Sequence, residues 1–128
     1  MKVEFWIVDL FGEYQKVTLS PGEKWEQLET SCDEGRIDSY LEYEYDVDLG
    51  GIVRRSGSYG YDCDGRFEHH YEEFCPLNKL CSRPAMIEWG HWENGMWHAP
   101  IYDTSKMLPM WEQVDESHRD YEAERAGY

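Results

Sequence analysis

From Leu41 to Leu49 the chain reads LEYEYDVDL, with apolar and acidic residues in unbroken alternation. Successive side chains of a β-strand point to opposite faces. Leu41, Tyr43, Tyr45, Val47 and Leu49 are therefore expected to line a core surface, and Glu42, Glu44, Asp46 and Asp48 the outward one. Residues two apart on a strand are separated by roughly 6.6 Å, and phosphates along a winding nucleic-acid backbone by about 6 to 7 Å. The acids would thus stand in a row at phosphate-like spacing.

The remaining pattern predicts further hairpins and two helices. Val3 to Leu10 and Tyr14 to Leu19, divided by Phe11-Gly12-Glu13, read as an antiparallel hairpin. Ser20, Pro21 and Glu23 have the arrangement of an N-cap, a first helical residue and a capping-box partner. They predict a helix with Trp25, Leu28 and Cys32 facing inward, Glu26, Glu29 and Asp33 forming a second acidic row, and Gly35 just past its end. Gly50-Gly51 allows a tight turn into a strand at Ile52 to Ser56; counting back from it sets Arg55 opposite Asp46. Ser56 to Gly65 reads as a loop, and Arg66 to Phe74 as a strand.

Met86 to Glu93 and Met96 to Tyr102 flank Asn94-Gly95, a dipeptide suited to a two-residue hairpin turn. That turn sets Trp92 across from Trp97 and His91 across from His98, with Pro100 marking an edge or an end. Pro109 to Arg125 reads as a second helix, with Trp111, Val114, His118 and Tyr121 inward and Glu112, Glu116 and Asp120 in one like-charged column. The fold expected is α+β: a hairpin-rich antiparallel sheet of about five to seven strands with two helices packed against it. It forms one domain over residues 1–128, since no linker or repeat divides the chain.

Charge changes how the acidic row is read. The chain carries 27 acidic and 12 basic residues, a formal charge of −15, and ten of the acids lie between Glu23 and Asp48. On a neutral protein a strand of carboxylates is a solvated outer face; at this charge density the natural counterpart is a cationic partner. Direct binding to nucleic acid or to an anionic membrane is disfavoured, because phosphates are neutralised by Lys and Arg, and only Arg54, Arg55 and Arg66 lie near one another. Aromatic residues make up 16% of the chain, six of them Trp, far more buryable surface than disordered segments hold. The apolar run Phe5 to Val8 is stopped by Asp9, and no stretch approaches the roughly 20 apolar residues of a membrane span. A cytoplasmic protein with Cys32, Cys63, Cys75 and Cys81 as reduced thiols is expected.

Chemistry-bearing motifs are few. There is no Cys-x-x-Cys, no His-Glu-x-x-His, no nucleophile elbow and no phosphate-cradling glycine loop. Asp62-x-Asp64-Gly65 lacks the remaining ligands of a calcium loop. His69-His70 beside Glu72 and Glu73 is the cluster to inspect for an enzyme, but adjacent strand residues face opposite ways and cannot share a site without a bulge. No cofactor, metal or catalytic residue is therefore expected.

The functional expectation is a stoichiometric inhibitor that presents a phosphate-mimicking acidic surface to a basic nucleic-acid-binding protein or nuclease complex. In character, though not in motif, it resembles the phage DNA mimics of the anti-restriction and anti-CRISPR type. Glu42, Glu44, Asp46 and Asp48, extended by Glu26, Glu29 and Asp33, are the expected partner-binding residues. Reversing Glu44 and Asp46 to Lys is expected to weaken docking and leave the fold intact. An immunity protein for a basic toxin rests on the same physics, and a small metal-dependent enzyme using the His and Cys residues is the expectation of another class.

Overall fold

The computed structural model describes residues 1–32, 35–62 and 65–113. Strands β1 (Val3–Val8) and β2 (Tyr14–Leu19) form an antiparallel hairpin that pairs Phe5 with Val17 and Val3 with Leu19. Asp9 holds the hairpin's loop together. Its carboxylate accepts from Phe11 N and Glu13 N, both at 2.9 Å, and from Gln15 Nε2 at 2.6 Å. Four long strands follow as a meander, β3 (Lys24–Ser31), β4 (Arg36–Asp46), β5 (Gly51–Asp62) and β6 (Gly65–Pro76). A 3₁₀ turn (Leu77–Lys79) leads to β7 (Arg83–Glu88), β8 (His91–Glu93), β9 (Met96–His98), β10 (Ile101–Leu108) and β11 (Glu112–Gln113). The main sheet has the order β11-β6-β5-β4-β3; β7 pairs with β10 and β8 with β9.

The β1–β2 hairpin supplies Phe5, Ile7, Val17 and Leu19 to a core completed by Leu41, Tyr43, Tyr45, Ile52 and Cys75 from one face of the main sheet. The apolar half of the Leu41–Asp46 alternation is buried as the pattern requires. Tyr43, 1% exposed, sits at the centre with ring contacts to Phe5, Trp25 and Trp111. Its hydroxyl is pushed up in pKa, first by burial and against the opposing pull of the Arg54 charge.

This all-β architecture overturns the α+β expectation: among the described residues no helix reaches seven residues. The first expected helix fails at Gly22. Ser20-Pro21-Gly22-Glu23 is a β-turn with Glu23 N donating to Ser20 O at 2.9 Å and Gly22 at φ +83°. Pro followed by a left-handed Gly is the arrangement of a type II turn. The bond from Ser20 N to Glu23 Oε1, at 2.8 Å, forms within that turn instead of at a helix start. Lys24–Ser31 then pairs with β4 along its whole length, from Lys24↔Glu44 to Ser31↔Ile37. Period two replaces period 3.6, so Leu28 is 76% exposed on the face opposite Trp25. Of the second expected helix, Glu112–Gln113 instead adds a short strand to β6, and residues 114–128 lie outside the described ones.

Two further corrections concern the middle of the sheet. The β4–β5 connection is Val47 to Gly50, with Gly50 N donating to Asp46 O at 2.9 Å, so Arg55 pairs with Glu42 and Asp46 with Gly51. Val47 and Leu49 are exposed in this turn and do not extend the core face. The segment expected to be a loop after Ser56 continues β5 to Asp62, because β4 and β6 bind it from both sides. Gly57 is required there. A Cβ at this position would lie 2.2 Å from His69 O and 2.9 Å from the Tyr40 ring, which crosses the sheet above it.

Candidate functional site

The second face of the main sheet is the outstanding surface. It carries Glu26, Asp38, Glu42, Glu44, Asp46, Glu68 and Glu72 against Lys24, Arg36, Arg55 and Arg66. Of the described side chains on this face, only Val53 is buried. The core draws on the opposite face, which leaves this one half-buried to exposed.

Arg55 dominates its lower half. Its guanidinium donates to Glu42 at 2.6 Å, to Glu44 at 2.9 Å and to Glu72 at 3.0 Å. Lys24 adds a contact to Glu42 at 3.7 Å. Burial opposes the charge on Arg55, but the bonds it donates to Glu44, Glu42 and Glu72 outweigh it and hold the guanidinium above its ordinary range. The acidic row is therefore internally compensated.

The upper half is aromatic. Tyr40 and His70 are joined through Oη and Nδ1 at 2.7 Å, and His70 Nε2 lies 2.8 Å from Glu68. Burial raises the Tyr40 pKa, and the neighbouring Glu42 charge adds to the effect. Tyr59, Tyr61 and Leu28 stand exposed around these groups. A groove of about 250 Å³ runs between Glu26, Leu28, Tyr40, Glu42 and Tyr59.

Of the seven partner-binding residues expected from the pattern, Glu26, Glu42, Glu44 and Asp46 share this face. Asp46 accepts from Leu49 N at 3.0 Å and so closes the following turn, in which Asp48 is exposed. Glu29 turns to the opposite face, because a strand has replaced the helix that would have aligned it with Glu26. Asp33 lies outside the described residues. His70 is singled out only with His69 as a cluster to inspect for an enzyme, and Tyr40, Tyr59 and Glu68 are not among the expected residues. Their signal is the period-two placement of Tyr59 and Tyr61, hidden among glycines and serines that read as a loop. His69 and His70 do face opposite ways, as strand geometry requires: His69 packs by Phe67 and His70 by Tyr40.

A second group of titratable side chains stands on the β8–β9 hairpin. The pairs His91↔His98 and Trp92↔Trp97 form as the Asn94-Gly95 turn predicts, with Asn94 at φ +52° and Gly95 at φ +78°. His91, Glu93 and His98 come together on one face of it, the one described group able to hold a metal ion. Cys32, Cys75 and Cys81 are free thiols, with Cys75 buried, and Cys63 lies outside the described residues. No helix among the described residues is long and apolar enough to cross a membrane. Compared with protein-family models, curated proteins and solved structures, the chain matches none.

Proposed function

We propose that this protein is a stoichiometric inhibitor that lays the open face of its main sheet against the cationic groove of a nucleic-acid-binding protein. The observation that carries the reading is that face itself: carboxylates in excess over cations, exposed tyrosines, and no covering layer among the described residues. A net charge of −15 repels nucleic acid and attracts a basic partner over a Debye length of about 8 Å at physiological salt.

Arg55 shifts the expected footprint. Glu42 and Glu44 already bind a guanidinium, which makes them a rigid floor, whereas Glu26 and Glu68 offer exposed carboxylates on either side. Tyr59, Tyr61 and Leu28 supply the apolar centre that interfaces concentrate their energy in. The Glu44→Lys exchange no longer tests docking, because it sets an ammonium against Arg55 inside the sheet.

The test compares wild-type protein and E26K/E68K as baits in host extract, then repeats binding with the purified target and a labelled oligonucleotide. A basic nucleic-acid-binding protein should be held by the wild type, lost by the variant and displaced by the oligonucleotide. Raising salt should slow association more than it speeds dissociation. Equal capture by both baits, or a ternary complex with unaltered oligonucleotide affinity, would refute the proposal.

A further inference from the structure

The structure assigns a second site, independent of the sheet face: we infer that His91, Glu93 and His98 bind a first-row transition-metal dication of the zinc type. The hairpin is built so that three donors meet. His91 and Glu93 are two residues apart on β8 and share a face, and His98 stands directly across from His91 on β9. One ligand atom from each lies within 4.8 Å of the other two.

The spacing is what an ion requires. His91 Nε2 and His98 Nε2 lie 3.7 and 3.8 Å from the same Glu93 oxygen. Those separations are too long for hydrogen bonds, which run about 2.7 to 3.2 Å. Donors on a tetrahedral ion with bonds of about 2.0 to 2.1 Å stand about 3.3 Å apart, so each histidine nitrogen must close on the Glu93 oxygen by about 0.4 to 0.5 Å, from an arrangement in which all three ligand atoms lie within 4.8 Å of one another. The imidazole rings are stacked, centroids 5.0 Å apart and planes within 10°, so ligation turns both rings about their side-chain bonds until the two lone pairs converge.

The surroundings favour the same occupant. His91 Nδ1 faces Trp89 O at 3.3 Å; a proton on Nδ1 leaves Nε2 free as the ligand atom. On the reverse face Trp92 and Trp97 pair at 5.6 Å, and Trp97 lies close over Gly90, where a Cβ would come within 2.7 Å of its ring. The hairpin is thus braced from behind. Two imidazoles and one carboxylate suit zinc, nickel or copper, whereas calcium and magnesium require oxygen shells. Three protein donors leave at least one coordination position for water or a partner's side chain.

The test titrates the full chain, stripped with chelator, with Zn²⁺ by calorimetry, with Mg²⁺ as control and Co²⁺ as the visible-absorption probe. H91A and H98A should each weaken Zn²⁺ binding by about 100-fold or more, beyond the 10–100-fold usual for outer-shell partners, and E93Q should weaken it measurably. In the wild type, Zn²⁺ should shift the imidazole nitrogen resonances of His91 and His98 and leave those of His69 and His70 unmoved, a readout that depends on no variant. Zn²⁺ affinity unchanged in folded H91A, resonance shifts that map elsewhere, or equal competition by Mg²⁺ would overturn the assignment.

Discussion

Replacing Arg55 with Met removes the cation and keeps an apolar stem of similar reach. It leaves Glu42, Glu44 and Glu72 facing one another, their side chains 18%, 23% and 40% exposed. Exposed ion pairs contribute about 0.2 to 1 kcal/mol, and breaking a buried pair costs about 3 to 5 kcal/mol. Arg55 is 33% exposed and serves three carboxylates, so its loss falls between these limits, at about 2 to 3 kcal/mol. An independent route gives a similar figure. The Glu42 and Glu44 oxygens that share Arg55 Nη1 at 2.6 and 2.9 Å are at most about 5.5 Å apart, and at an effective dielectric of about 20 they repel by roughly 3 kcal/mol once their shared cation is gone.

Urea denaturation of the wild type and R55M should show that difference in unfolding free energy, and a melting midpoint lowered by about 10 °C. Added salt should narrow the gap by screening the unmasked repulsion. Neutralising Glu42 and Glu44 with Gln in the R55M background should recover much of the loss, since the variant's defect is charge without a partner. If R55M lies within about 0.5 kcal/mol of the wild type, or the Gln exchanges give no rescue, the compensated-floor account of this face is wrong.

Three other outcomes are expected. Gly57→Ala should destabilise by about 1 to 3 kcal/mol, through overpacking against His69 O and the Tyr40 ring, and should disturb the Tyr40–His70 contact seen in the His70 resonances. Asp103 is held at a pKa of about 2, chiefly by bonds from the Ser105 hydroxyl and backbone N–H and then by Lys106. Because its pKa is depressed in the fold, its stabilisation is full above the unfolded value near 3.9 and is lost as pH falls through about 2. D103N should therefore flatten the acid limb of a stability–pH curve measured between those values. Trp97→Val should abolish any exciton-coupled far-ultraviolet signal from the Trp92–Trp97 pair and leave the urea midpoint of the core nearly unchanged, because both rings are exposed on a hairpin that adds no residue to the core.

Local patterns carried part of this structure. The alternation at Leu41 to Asp46 set which side chains enter the core, because strand geometry imposes period two on any pairing. Asn94-Gly95 determined a hairpin and its cross-strand pairs, because a two-residue turn leaves one register open to the flanking strands. Other features needed the whole fold. Lys24–Ser31 has helix-forming residues and follows the Ser20–Glu23 capping-box motif, but the free edge of β4 offers eight residues of ladder pairing, and the Pro21-Gly22 turn aims the chain along it. Likewise, which residues turn between β4 and β5 was decided by pairing along eleven positions, not by Gly50-Gly51 alone. That slip moved Arg55 from Asp46 to Glu42, an even number of residues, so it stayed on the carboxylate face while exchanging its partners. Where the strand itself was legible, as from Leu41 to Asp46, sequence determined the faces, because face follows from parity along one strand; tertiary structure decided that Lys24–Ser31 is a strand at all, and it decided the partners, because register is a property of two strands and the turn between them.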